Sequence, residues 1–308
     1  MKKAFEIIEN IIPEERLFYD EPMSRHTSFR IGGPAALLVQ VNNEDELSDI
    51  LELRETENLD YLLIGNGSNL LVSDEGYPGI VLKLGGDFEN IYQDEDDECL
   101  VHVGAARLMS GVSSFLTSKG LAGFEFASGI PGSLGGAVFM NAGAYGGEMK
   151  DIVKKVRAKM VLKPFSTVNL NNEDMKFGYR KSRIQTGDLI VLSLSLRLKK
   201  DDPSEIAARV AELADRRNSK QPVNYPSAGS TFKRPAGGFA AALIEEAGLK
   251  GYRVGGAAVS EKHSGFVINE GGASCEDVLS VMRHVRETVF EKSGIMLEPE
   301  VRLINCNL

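Results

Sequence analysis

The 308-residue chain is 43% hydrophobic and 26% charged, an ordinary balance for a soluble globular protein long enough to hold two domains. Its formal net charge of −9 argues against a nucleic-acid-binding surface and for a protein that handles small molecules. Cys99, Cys275 and Cys306 are too widely spaced for a metal motif or a disulfide framework, which fits a reducing cytoplasm, and no apolar run is long enough for a membrane span.

Residues 3–12 read as a short amphipathic helix with Phe5, Ile8 and Ile12 on one face. The acidic residues inside that pattern, with no small-residue cleavage site, argue against a signal peptide. The run 24–34 mixes basic, hydroxyl and glycine residues ahead of a strand at 35–41. Its Arg25, His26 and Arg30 read equally as a solvated linker or as an entry loop touching a cofactor. Asn43 or Glu44 starts a helix to about Asn58, with Leu47, Ile50 and Leu51 inward. A buried strand at 61–65 then runs into Asn66-Gly67-Ser68-Asn69, followed by strands near 70–73 and 79–84. A strand ending in this sequence suggests a phosphate nest. It fits neither the dinucleotide fingerprint nor the P-loop, and Asn-Gly is also a common hairpin turn. Residues 88–93 and 99–105 form a hairpin around the acidic tip 94–98, and a helix over 107–119 ends with Gly120 as its C′ residue.

The stretch 128–147, SGIPGSLGGAVFMNAGAYGG, holds seven glycines in twenty residues and no charge. It is too glycine-rich for a good helix or strand and too apolar for a solvated loop. Glycine backbone can approach a ligand closely and turn successive N–H groups toward an anion. A tightly packed crossover with no ligand is the competing reading. Beyond it lie strands at 153–162 and 189–199, a helix from a Ser204 cap to about Arg217, and a polar stretch at 218–238. A helix at 239–247, strands near 256–260 and 265–269, and a last strand at 298–304 complete the pattern. Between these, Ser274 caps a helix carrying Val278, Val281, Met282, Val285 and Val289 on one face. The fold class is α+β, with a first domain over 1–200 and a smaller α+β domain over 201–308.

Three polar spots are separate in sequence: Phe177-Gly-Tyr-Arg180-Lys-Ser182, Pro226-Ser-Ala-Gly-Ser230-Thr-Phe-Lys, and Leu297-Glu-Pro-Glu300-Val-Arg302. Taken alone, Arg180 reads as a surface arginine or a carboxylate ligand, Ser230 as a turn serine, and Glu300 as half of an ion pair. Pattern rules stop at an α+β protein that binds a phosphorylated ligand.

Together with the glycine-rich run, these stretches in this order closely resemble the UDP-N-acetylenolpyruvoylglucosamine reductase family, over about 25–304. The resemblance implies an FAD-binding fold of the PCMH (vanillyl-alcohol-oxidase) type over 1–200, built from two α+β subdomains divided near 90, with a C-terminal substrate domain. Non-covalent FAD would be held by Arg30, Ile31, Gly32 and Gly33, by Gly65, Asn66, Gly67, Ser68 and Asn69, and by the glycine-rich run. In that run the residues are Gly129, Ile130, Pro131, Gly132, Ser133, Gly135, Gly136, Asn141, Ala142 and Gly143. The implied reaction reduces UDP-N-acetylglucosamine enolpyruvate with NADPH. Arg180 and Glu300 would stabilise an enolate-like intermediate, Glu300 carrying its proton, and Ser230 would protonate C2. Lys220, Lys233 and Arg234 would contact substrate; Arg234 stands where some members carry Asn, and an arginine suits a diphosphate. His263 receives no role. The compact stretch 181–304 leaves no room for the βαββ insertion of the longer family form, so the chain resembles type II. No metal, nucleic acid or membrane is implied, and a cytoplasmic monomer or weak oligomer is expected. An oxidase of the same fold and a non-catalytic flavin-binding module are the alternatives. The glycine-rich loops hold no His or Cys for a covalent flavin, and an intact Arg180, Ser230 and Glu300 set argues against the module.

Overall fold

The computed structural model describes residues 2–57 and 59–308. The chain is α+β and forms two compact units. The first comprises the residues up to Phe18, Val39–Asn66 and Val81–Arg216; the second comprises Tyr19–Leu38, Gly67–Ile80 and Arg217–Leu308. These units do not follow a division at residue 200, because two upstream segments belong with the C-terminal one. A four-stranded sheet has the order Leu17–Pro22, Pro34–Val41, Tyr77–Leu84, Tyr61–Ile64.

In the first unit a five-stranded antiparallel sheet runs in the order Thr167–Asn171, Val153–Met160, Leu189–Arg197, Leu100–Gly104, Ile91–Gln93. Helices Met109–Ser118 and Leu134–Phe139 share its core, where Val112, Leu116, Leu134 and Val138 meet Val103, Val156, Leu194 and Leu196. Helix Glu44–Thr56 starts where expected, with the Asn43 side chain accepting the Glu46 N–H at 2.9 Å. It ends at Thr56, and Asn58 lies outside the described residues.

In the second unit helix Cys275–Ser293 packs its apolar stripe with the antiparallel strands Ala257–Val259 and Val267–Asn269 and with helix Ala240–Glu246. Strand Arg302–Ile304 pairs in parallel with Leu70–Val72. Phe29, Ile31 and Leu71 join Val259, Val281 and Met282 in one core. A contact this distant in sequence leaves no local trace, so the unit boundary near 18, 38, 66 and 80 is invisible to composition.

Several elements depart from expectation. Strand Tyr61–Ile64 is half-buried rather than buried. Residues 167–171 add an edge strand whose Val168 and Leu170 alternate with polar residues and pack against the core. The last strand covers only Arg302–Ile304. Helix Pro203–Lys220 is capped by Asp202, whose carboxylate accepts the Ser204 N–H at 2.7 Å, because Pro203 already occupies the first helical position.

Candidate active site

The glycine-rich run is more regular than its composition suggests. Residues Leu134–Phe139 form a six-residue helix. Tertiary bonds hold its first turn: the Leu134 and Gly135 N–H groups donate to the Arg107 and Ala105 carbonyls, and Ser133 Oγ accepts from the Gly136 N–H. Those donors are therefore used by protein, so the expected inward nest is not made of them.

A cleft of about 220 Å³ lies in front of this turn within the first unit. Its walls include Gly65, Asn66, Ser133, Gly135 and Gly136, five of the expected cofactor residues, with Leu84, Ala106 and Val191 as apolar surface. That volume takes one part of a dinucleotide rather than the whole. Gly65 must be glycine for a packing reason, since a Cβ there would lie 2.1 Å from Ser133 Oγ. Gly136 differs: a Cβ would meet only that hydroxyl, at 3.3 Å, and would otherwise project into open space. The Asn66 amide donates to the Pro131 carbonyl at 2.8 Å, tying the 65–66 corner to the glycine-rich run. Gly129 and Ile130 stay half-exposed beside Pro131 and Gly132. A wall with glycine backbone at Gly65, Gly135 and Gly136, flanked by apolar side chains and by Lys83 and Glu89, leaves room for part of a flavin dinucleotide.

Asn141 has a different place. It is 0% exposed, and its amide donates to Glu148 Oε2 and the Gly178 carbonyl while accepting the Lys150 N–H. It is thus built into the protein rather than facing a ligand. Ala142 bonds to the Ala137 carbonyl, and Gly143 pairs with Glu148. Arg180 lies in the same unit, half-buried, on a turn closed by reciprocal Gly178 and Lys181 backbone bonds. Its guanidinium carbon sits 5.1 Å from the Tyr179 ring centroid. The Lys150 ammonium beside Glu148 holds that carboxyl below the usual range, and the charge of Arg180 acts in the same direction.

The second unit brings Ser230 and Glu300 together. The Glu300 N–H donates to the Thr231 carbonyl at 2.8 Å and the Lys233 N–H to the Glu298 carbonyl at 2.8 Å, so 231–233 run beside 298–300. Gly229, at φ +76, makes the turn that leaves Ser230 exposed, while Thr231 and Phe232 are buried. Asn69 donates its amide to the Glu300 carbonyl at 3.1 Å and accepts the Arg302 N–H on its own carbonyl. Gly67 packs against the His26 carbonyl, where a Cβ would come within 1.9 Å, and Gly33 against the Asp74 carbonyl at 2.0 Å. Ser68 is half-exposed and Ile31 buried; Arg30 is exposed, with φ +56. The Gly32 carbonyl accepts the Ser24 N–H. Of the expected substrate contacts, Lys220 is exposed at the end of its helix. Lys233 pairs with Glu298 at 3.2 Å, and Arg234 stacks on Phe239 at 4.4 Å.

Residues 35–161 match an FAD binding domain, and 221–304 match the UDP-N-acetylenolpyruvoylglucosamine reductase C-terminal domain. The UDP-N-acetylenolpyruvoylglucosamine reductase of Clostridioides difficile (strain 630) is 50% identical over 295 residues, covering 96% of this chain and 95% of that protein. The chain belongs to this reductase family. The enzyme of that name from Lachnoclostridium phytofermentans is 49% identical over 298 residues, covering 96% of each chain. The crystal structure of UDP-N-acetylenolpyruvylglucosamine reductase from Thermus caldophilus superposes with a TM-score of 0.79 at 38% identity, covering 92% of this chain and 97% of that one. The α+β FAD-binding fold expected from the sequence is the fold of the reductase family.

Sequence reading missed Lys83, Glu89 and Val191 in the cleft wall. A lone lysine in the apolar run Ile80-Val-Leu-Lys-Leu84 is the one local signal. It also missed Gln185, which binds the Arg180 carbonyl from a stretch with no pattern of its own.

Proposed function

We propose that this chain catalyses the NADPH-dependent reduction of UDP-N-acetylglucosamine enolpyruvate to UDP-N-acetylmuramate in peptidoglycan precursor synthesis, in the cytoplasm. One observation carries the reading: backbone pairing sets Ser230 beside Glu300 in a chain half-identical to reductases of this name. FAD, held by the residues named below, would supply the hydride-transfer chemistry between NADPH and the enol ether.

The chain's own residues then handle charge and the proton. Arg180 offsets the negative charge that develops on C2 and the neighbouring carboxylate. Glu300, carrying its proton, donates a hydrogen bond to the same charge; an ionised carboxylate would repel it. Ser230 gives its proton to C2, completing addition of one hydride and one proton across the double bond. Gly65, Asn66, Ser133, Gly135 and Gly136 are assigned to the cofactor, as are Arg30–Gly33 and Gly67–Asn69. Asn141 contributes through the protein scaffold. FAD binding is thus assigned within 1–200 and substrate binding within 201–308, where Lys220 and Arg234 are assigned to the diphosphate. Lys233 can join them by exchanging its exposed Glu298 partner, a pair worth little in water. The chain acts as a type II form and as a monomer or weak oligomer, which light scattering of the eluted protein tests.

The test of function is a stopped-flow experiment. NADPH added without oxygen should bleach the flavin bands, and the enolpyruvyl substrate should restore them. Bleaching without recovery removes the substrate assignment and leaves an oxidase of the same fold. No bound flavin, with none taken up from added FAD, removes the cofactor reading.

A further inference from the structure

We propose that Gln185, together with Asn141, is a positioning residue for Arg180; the proposal rests on the role given to Arg180 above. Arg180 has φ +54, a left-handed backbone state that an L side chain enters only at a cost. Such a residue keeps that conformation only where its surroundings over-determine it. Three side chains do so here.

Gln185 Nε2 uses both of its hydrogens, donating to the Arg180 carbonyl at 2.9 Å and to the Phe139 carbonyl at 2.8 Å. Ser182 Oγ donates to the same Phe139 carbonyl at 2.8 Å. Asn141 donates to the Gly178 carbonyl at 3.0 Å from the other side of the turn. Asn141 is itself left-handed, at φ +42, and is held by Glu148 Oε2 and the Lys150 N–H. The end of helix Leu134–Phe139 and the four-residue turn 178–181 are therefore one clamped block. A two-donor amide bridging carbonyls on both sides fixes the direction in which the Arg180 side chain leaves the backbone. Replacement by a group without donors frees the peptide after Arg180 to flip.

Gln185 is exposed, so Gln185→Ala should fold; Asn141→Ala, at a fully buried site, serves only as a second variant. In the FAD-loaded enzyme, Gln185→Ala should slow flavin reoxidation by the enolpyruvyl substrate between about 10-fold and 100-fold, the range for a reactive group displaced by around 1 Å. The melting temperature should stay that of the wild type. The deciding readout is a double-mutant cycle with Arg180→Lys. If Gln185 acts through Arg180, the double variant is no slower than Arg180→Lys alone. Wild-type reoxidation in Gln185→Ala, or costs that multiply in the double variant, overturns the proposal while leaving Arg180 in place. Unchanged reoxidation in Arg180→Lys removes the role of Arg180 and the proposal with it.

Discussion

Ser230, Glu300 and Gly65 each depend on a different physical effect, and each can be tested singly. Ser230→Ala removes one preorganised donor, so flavin reoxidation should slow by about 100-fold to 1,000-fold, roughly 3–4 kcal/mol, while NADPH still bleaches the flavin. Glu300→Gln keeps a neutral hydrogen-bond donor and should reoxidise faster than Glu300→Ala; equal rates would show that a neutral donor is not what the position supplies. Gly65→Ala places a methyl group 2.1 Å from Ser133 Oγ. Ser133 must then move and release the Gly136 N–H it caps. The variant should lose roughly 1–3 kcal/mol of stability and part of its flavin, read as melting temperature and as the ratio of flavin to protein absorbance. Ser230, Glu300 and Arg180 stand out in the sequence only as a set, because each alone reads as an ordinary turn serine, ion pair or surface arginine. At Asn141 a glycine-rich context suggests an exposed backbone, whereas the side-chain amide is consumed by Glu148, Lys150 and Gly178.

Helix Cys275–Ser293 shows how a strong local signal survives into the structure. Its four valines and one methionine on one stripe are all buried, and Ser274 and Asp277 make a reciprocal capping box. Ser274→Ala should cost about 1 kcal/mol, measured by chemical denaturation. The N–H groups of Ser274 and Gly256 donate to the Asp277 carboxylate and hold it below its ordinary value of 3.8. Since the folded state binds this proton less readily, the stabilisation is complete above that ordinary value and is lost as pH falls through the lower folded one. The stability gap between wild type and Asp277→Asn should therefore be constant near neutrality and shrink below about pH 4. Other elements were less legible. Helix Leu134–Phe139 contradicts its own glycines because the Arg107 and Ala105 carbonyls hold it from outside. Edge strand Thr167–Asn171 alternates only two apolar residues, Val168 and Leu170, with polar ones, too short a rhythm to announce it.

The two compact units are the feature least visible in sequence. Phe29, Ile31 and Leu71 lie upstream of residue 200, yet they are buried with side chains from 228–301. A fragment spanning 1–200 should therefore expose these side chains, aggregate, and melt without a cooperative transition, although it contains most residues assigned to FAD. A soluble, cooperatively folded 1–200 fragment would contradict this. The parallel pairing of Leu70–Val72 with Arg302–Ile304 adds a consequence for synthesis. While a ribosome makes the intervening stretch at about 5–20 residues per second, strand Leu70–Val72 waits on the order of ten seconds or more for its neighbour. During that interval the nascent chain carries an unpaired strand edge and uncovered aromatic and aliphatic side chains, a surface that trigger-type chaperones would meet before the substrate does.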